Sequence, residues 1–189
     1  MGFRLKTAPV TEPVSRTEAK LHLKVDDTAD DTLIDVLIQA AREQVENHCN
    51  ICLMPQTWEL KLSAFPSEGS IELKYPVIGI SGVTYQDTND DTQTFPASGY
   101  VLDNAAIPSV LSLAYGQSWP AALDEAGSVT IEFAAGYAEA SAVPAAIRSA
   151  MLLAIGHLYE HREDVVVGRI VSKMDMASQY LLDPYRIAP

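Results

Sequence analysis

The sequence predicts an α+β protein, a small helical bundle core interrupted by an antiparallel β-rich insert. Three observations carry this. Residues 13–49 read as helix, with capping signals and a 3.6-residue apolar period. Residues 55–138 read as short alternating strands separated by Gly, Pro and Asn/Asp clusters. Residues 144–163 return to helical periodicity. The expected division is a helical core from residues 1–54 and 139–189, with a β-rich insert at 55–138.

The elements follow in order. Pro9 to Val14 is extended. Ser15 and Glu18 have capping-box spacing, so a short helix should run to about Leu23 or Val25. Thr28 and Asp31 repeat that spacing and open a longer helix. Leu33, Ile34, Leu37, Ile38, Ala41 and Val45 form its apolar stripe, and Asp35, Gln39, Arg42, Glu43 and Glu46 its polar face. Pro55 ends the helical region. Strands are expected at 57–62, 71–75, 77–85, 100–103, 110–115 and 128–133. Their short connections argue for antiparallel pairing. Residues 86–94 read as a hairpin tip or loop. Pro144 suits the first turn of a helix, whose stripe is Ile147, Met151, Leu152, Ile155, Leu158 and Tyr159. A last short helix spans roughly 173–182, before Pro184.

Composition narrows the function. The net charge is −12, from 13 cations and 25 acids. Residues 59–143 hold only Lys61 and Lys74 against eleven acids. Such a chain is ill suited to gripping nucleic acid through its phosphates. It could line a channel through which DNA slides, since repulsion prevents sticking. No run approaches the ~18 apolar residues of a membrane helix. Residues 1–6 lack the apolar region of a secretory signal. A reducing cytoplasm is expected, in which Cys49 and Cys52 stay thiols.

The chemical motifs are incomplete. His157, Glu160 and His161 match H-x-x-E-H, which in some zinc peptidases sets two imidazoles on one helix face beside a carboxylate base. A small zinc hydrolase is therefore the alternative of a different class. It lacks a third ligand, because Glu163 and Asp164 are too close in sequence. Cys49-Asn50-Ile51-Cys52 closes a helix, where the dipole disfavours a thiolate. Asp87-Thr88-Asn89-Asp90-Asp91 starts like a calcium loop but has Thr92 and Ser98 where Gly and Glu belong. No catalytic residue, metal or cofactor is assigned.

Several phrases recur together in order. They are Pro13-Val14-Ser15, Glu18-Ala19-Lys20 and Leu23-Lys24-Val25-Asp26, then Leu33-Ile34, Ala40-Ala41-Arg42-Glu43 and Gln56-Thr57-Trp58. Trp119-Pro120, Ala135-Gly136-Tyr137, Val143-Pro144, Tyr159-Glu160, Arg162-Glu163 and residues 181–186 follow. In this order and spacing the chain resembles the head–tail connector proteins of tailed bacteriophages, in the longer version with a β-rich insert. It departs from them at Cys49-Asn50-Ile51-Cys52, where a Thr-Gly-Arg-like turn is usual, and at His161, where Asn is usual.

The resemblance implies a structural subunit of a phage or prophage neck. It implies a ring of this chain, commonly a dodecamer, below the portal protein. Such a ring extends the DNA channel without sequence-specific binding and docks the next neck or tail component. Another neck or tail-completion protein is the nearest alternative. The implied place is the virion neck, assembled in the host cytoplasm, with no membrane partner. The expected docking residues are Met174, Ala177, Tyr180, Leu181, Leu182, Tyr185 and Arg186, from an apolar C-terminal segment. Met174, Ala177 and Leu181 share one helical face. Asp87, Asp90 and Asp91 are expected to face the channel or solvent.

Overall fold

A computed structural model describes residues 2–67, 69–161 and 176–188. The chain divides into two compact units. Residues 1–10 and 54–138 form a β unit, and residues 11–53 and 139–189 a helical unit. Residues 1–10, expected with the helices, thus lie with the strands.

The β unit contains two antiparallel sheets. The larger has strands β1 (Gly2–Thr7), β2 (Gln56–Leu62), β4 (Val77–Gln86), β5 (Thr92–Phe95) and β8 (Val129–Ala135), in the order β1-β2-β8-β4-β5. The smaller has β3 (Ser70–Glu72), β6 (Tyr100–Asp103) and β7 (Val110–Leu113), in the order β3-β7-β6. Central β8 shows why the large sheet forms. Val129, Ile131, Phe133 and Ala135 alternate with half-buried residues, and all four are buried. Strand alternation sends them to one face. One registered row across this sheet is Phe3–Leu60–Ile131–Val83–Phe95. The opposite face carries charge: Lys6 reaches Glu132 at 2.6 Å and Glu59 at 3.7 Å. Beyond β5, Phe65 stacks on Trp119 at 4.8 Å, and Phe95 tilts against both.

Two strands were not expected. β1 lies in a segment for which no strand is expected, yet Phe3 and Leu5 alternate with Arg4 and Lys6. β5 belongs to the segment read as hairpin tip or loop. It pairs with β4 from Val83–Phe95 to Gln86–Thr92, so the tip shrinks to Asp87–Asp91.

In the helical unit, α1 (Arg16–Leu23) starts with the expected capping box. Ser15 Oγ accepts from the Glu18 amide, and the Glu18 carboxylate accepts from the Ser15 amide. α2 (Asp31–Cys49) begins differently from expectation. Its N-cap is Asp30, which makes no side-chain cap bond. The Asp30 carboxylate instead accepts from the Tyr159 hydroxyl of α3 (Ala145–Glu160). Pro144 is the residue before that helix rather than within its first turn. α2 ends at Asn50, whose φ of 54° is a left-handed conformation that Asn tolerates. The core comprises Ile34, Ile38, Ala41 and Val45 of α2 with Ile147, Ala150, Met151 and Ile155 of α3.

Arg42 corrects the reading of α2. Assigned to the polar face, it is buried. Its guanidinium donates to Glu12 at 2.9 Å and to Glu46 at 2.8 Å. Glu46 also accepts from the backbone amide of Leu53 at 2.7 Å. Burial pushes the Glu12 carboxyl above its ordinary range, and Arg42 offsets this only in part. One cation therefore joins the chain before α1, the last turns of α2 and the segment after α2.

Two substitutions test these packing arguments. Gly136 (φ 126°) and Gly116 (φ 75°) both have left-handed backbones. A Cβ at Gly136 would overlap the Met54 carbonyl, whereas one at Gly116 meets nothing. Gly136→Ala should therefore destabilise far more than Gly116→Ala, which carries only the backbone cost of about 1–3 kcal/mol. Equal denaturant midpoints would contradict the close approach. Arg42→Ala should cost about 3–5 kcal/mol by stranding two carboxylates. Arg16, exposed beside Asp31 and Asp35, serves as the control and should lose little on replacement by Ala. A loss at Arg42 no larger than at Arg16 would refute the buried-cation role.

Candidate docking surface and acidic loop

The C-terminal docking candidates lie on α4 (Met176–Leu182) and a following 3₁₀ turn, Asp183–Tyr185. This segment belongs to the helical unit, where α4 packs on α3. The Ile187 amide donates to the Cys49 carbonyl at 2.9 Å, tying the segment to the end of α2. Ser178 and Leu182 are buried, four residues apart and so on one helix face. Leu182 has no exposed surface and accepts a weak 3.8 Å bond at its carbonyl from the Cys49 thiol.

Leu182 is therefore a core residue, correcting its assignment to a partner surface. The inward face is Ser178–Leu182, one position from the Ala177–Leu181 face expected from spacing. Small Ser178 lets the helix approach closely while Leu182 fills the core. Ala177, Tyr180 and Arg186 are exposed, Tyr180 at 72%, and Leu181 and Tyr185 are half-buried. Met174 lies outside the described residues.

The acidic candidates divide as well. Asp87 holds the β4–β5 tip together. Its Oδ1 accepts from the amides of Asn89 at 2.8 Å and Asp91 at 3.1 Å, and its Oδ2 from the Gln93 side-chain amide at 3.1 Å. Those backbone donors hold its carboxyl below the ordinary range. Asp90 sits at φ 66°, a left-handed turn conformation that Asp adopts more readily than most residues. Asp90 and Asp91 are exposed. Asp87 thus orders a turn, while Asp90 and Asp91 are the more exposed of the three.

His157, Glu160 and His161 are exposed near the end of α3. The imidazoles stack with centroids 4.6 Å apart, and His161 Nδ1 lies 3.1 Å from the His157 carbonyl oxygen. Among the described residues, no group of three His, Cys, Asp or Glu could hold a metal ion. Glu163 and Asp164 lie outside them. Cys49 and Cys52 are buried and form no disulfide, and burial pushes the Cys49 thiol up to about 11. No helix among the described residues is long and apolar enough to cross a membrane.

The Asp87 bonds fix a pH dependence. A carboxyl lowered in the native state contributes stability above its unfolded value and loses it as pH falls through the native value. The Asn89 and Asp91 amide resonances should therefore titrate together, with a midpoint below 3.8. Asp87→Asn should abolish the transition. A midpoint at or above 3.8 would mean that these amides do not hold the carboxylate.

Comparison with known proteins agrees with the order of elements. The sequence pattern of the phage gp6-like head–tail connector proteins matches residues 17–105. This span runs from α1 to just past β6. No curated protein matches. Among solved structures, a chain in the neck of an empty gene transfer agent (GTA) particle, computed with C6 symmetry, aligns at TM-score 0.81 and 22% identity. A chain in the native GTA virion aligns at TM-score 0.82, and one in the native GTA neck, computed with C12 symmetry, at 0.75, both at 22% identity. Each alignment covers 100% of this chain and 97% of the other. The resemblance read from the sequence is thereby shown: the chain is similar in sequence to the gp6-like head–tail connectors over residues 17–105, and over its whole length it has the α+β fold of chains in the GTA neck.

Proposed function

We propose that this chain is a structural head–tail connector subunit of a phage-like particle. The observation that carries the reading is the coincidence of two comparisons. A connector pattern covers α1 to β6, and a neck-protein fold covers the rest as well. The described residues are consistent with it. The buried Cys49 thiol is a poor nucleophile, and among the described residues no third ligand joins the His157–His161 pair. The subunit acts by shape and surface rather than by turnover, with no cofactor.

In this role copies of the chain form a ring in the virion neck, a dodecamer as is common among connectors. One side meets the portal protein, and the other receives the next neck or tail component. DNA passes through without base-specific contact. Asp90 and Asp91, in the stretch poorest in cations, face the channel or solvent, where like charge keeps DNA from adhering. Assembly takes place in the host cytoplasm.

The docking surface is the outer side of α4 and the turn after it: Ala177, Tyr180, Leu181, Tyr185 and Arg186. Tyr180 and Arg186 are both exposed, and tyrosine and arginine are among the residues that dominate interface energetics. Leu182 supports this surface from beneath. Tyr180→Glu should leave the thermal midpoint unchanged and abolish co-purification with the cognate portal or next neck component. Leu182→Ala should instead destabilise the helical unit by about 2–5 kcal/mol. Normal assembly of a folded Tyr180→Glu variant would remove α4 from the docking role.

A further inference from the structure

We propose that neighbouring copies join head to tail through the two free edges of the five-stranded sheet, with β5 of one copy beside β1 of the next. This deepens the ring reading above and rests on it. The occupant of each edge is a second copy of this chain.

Among the described residues, both outer strands have a paired neighbour on one side only. An unpaired edge is a template for another strand unless it is blocked. No residue of β1 is buried, although Phe3 and Leu5 belong to the sheet's apolar face. They remain 38% and 43% exposed. At the other edge the same face ends in Phe95 and its aromatic neighbours Phe65, Tyr100 and Trp119. The apolar row thus begins and ends in phenylalanine, with Phe3 at one edge and Phe95 at the other.

The edges also differ in charge. β1 carries Arg4 and Lys6 and no acid, and the Arg4 side chain is 73% exposed. Residues 77–95, spanning β4, its tip and β5, carry Asp87, Asp90 and Asp91 and no Lys or Arg. Unlike edges favour a heterologous contact, which closes into a ring when the rotation permits. A β1–β1 contact would instead set cation against cation.

Strand direction fixes the pairing. All four pairs in the sheet are antiparallel, so β1 and β5, at positions one and five, run the same way. Head-to-tail continuation therefore pairs β5 with the next β1 in parallel. Setting residues 92–95 beside residues 2–5 places Gln93 and Phe95 along the Phe3 and Leu5 side. Thr94 then lies beside Arg4 on the other face.

Thiol cross-linking of assembled connector–portal complexes tests this. Arg4→Cys and Thr94→Cys are made singly and together, and a short bismaleimide is added before denaturing electrophoresis. The native thiols are buried and stay unreacted. Within one copy the two positions are four strand spacings apart, about 19 Å, which a short linker does not span. The double variant should give a ladder of multimers, a mixture of single variants only dimers, and each single variant alone no product. Dimers from Arg4→Cys alone would show a two-fold contact and overturn the proposal. Rings visible by electron microscopy without cross-linking would overturn it while leaving the ring reading intact. Absence of rings in the unmodified complexes would remove the ring reading and this proposal together.

Discussion

The helical unit depends on a cation it cannot expose. Arg42 lies on the inward side of α2 and is held by Glu12 and Glu46. An unpaired guanidinium there would cost several kcal/mol, so both carboxylates must be in place. Glu12 draws in the chain before α1, and Glu46 reaches the Leu53 amide. Val14, Ile51, Cys52 and Leu53, which flank these carboxylate contacts, are all buried. The β unit has an apolar counterpart in β8, whose buried side chains require pairing on both flanks.

The sequence carried the elements whose signals are local. The Ser15–Glu18 box is visible because two residues three positions apart suffice to define it. β2, β3, β4, β6, β7 and β8 are legible as short strand stretches between turn residues. β1 carries an alternation in Phe3, Arg4, Leu5 and Lys6, but over only four residues and with none of them buried. β5 was harder, since Thr92-Gln93-Thr94 has no apolar alternation and gains its place from pairing with β4.

The site was legible in outline and not in detail. Arg42 looks like a surface residue because one of its partners, Glu12, is thirty residues away. Leu182 could not be told from Leu181 by apolarity alone. One position of helix rotation separates a docking residue from a core residue, and packing on α3 sets that rotation. Asp87 was grouped with Asp90 and Asp91 by charge, yet its bonds to Asn89 and Asp91 make it a turn residue. The fold class needed only periodicity, whereas the site needed contacts distant in sequence.

These features fit a subunit that works by being placed. A chain with few reactive groups, two compact units and exposed residues on its outer elements is suited to being completed by neighbours. The most direct measurement is a symmetry-free electron-microscopy reconstruction of the chain bound to its cognate portal. The account predicts a closed ring of this chain stacked coaxially on the portal, with an open central channel. A chain that remains monomeric beside an otherwise complete portal–tail junction, or occupies another part of the particle, would contradict it.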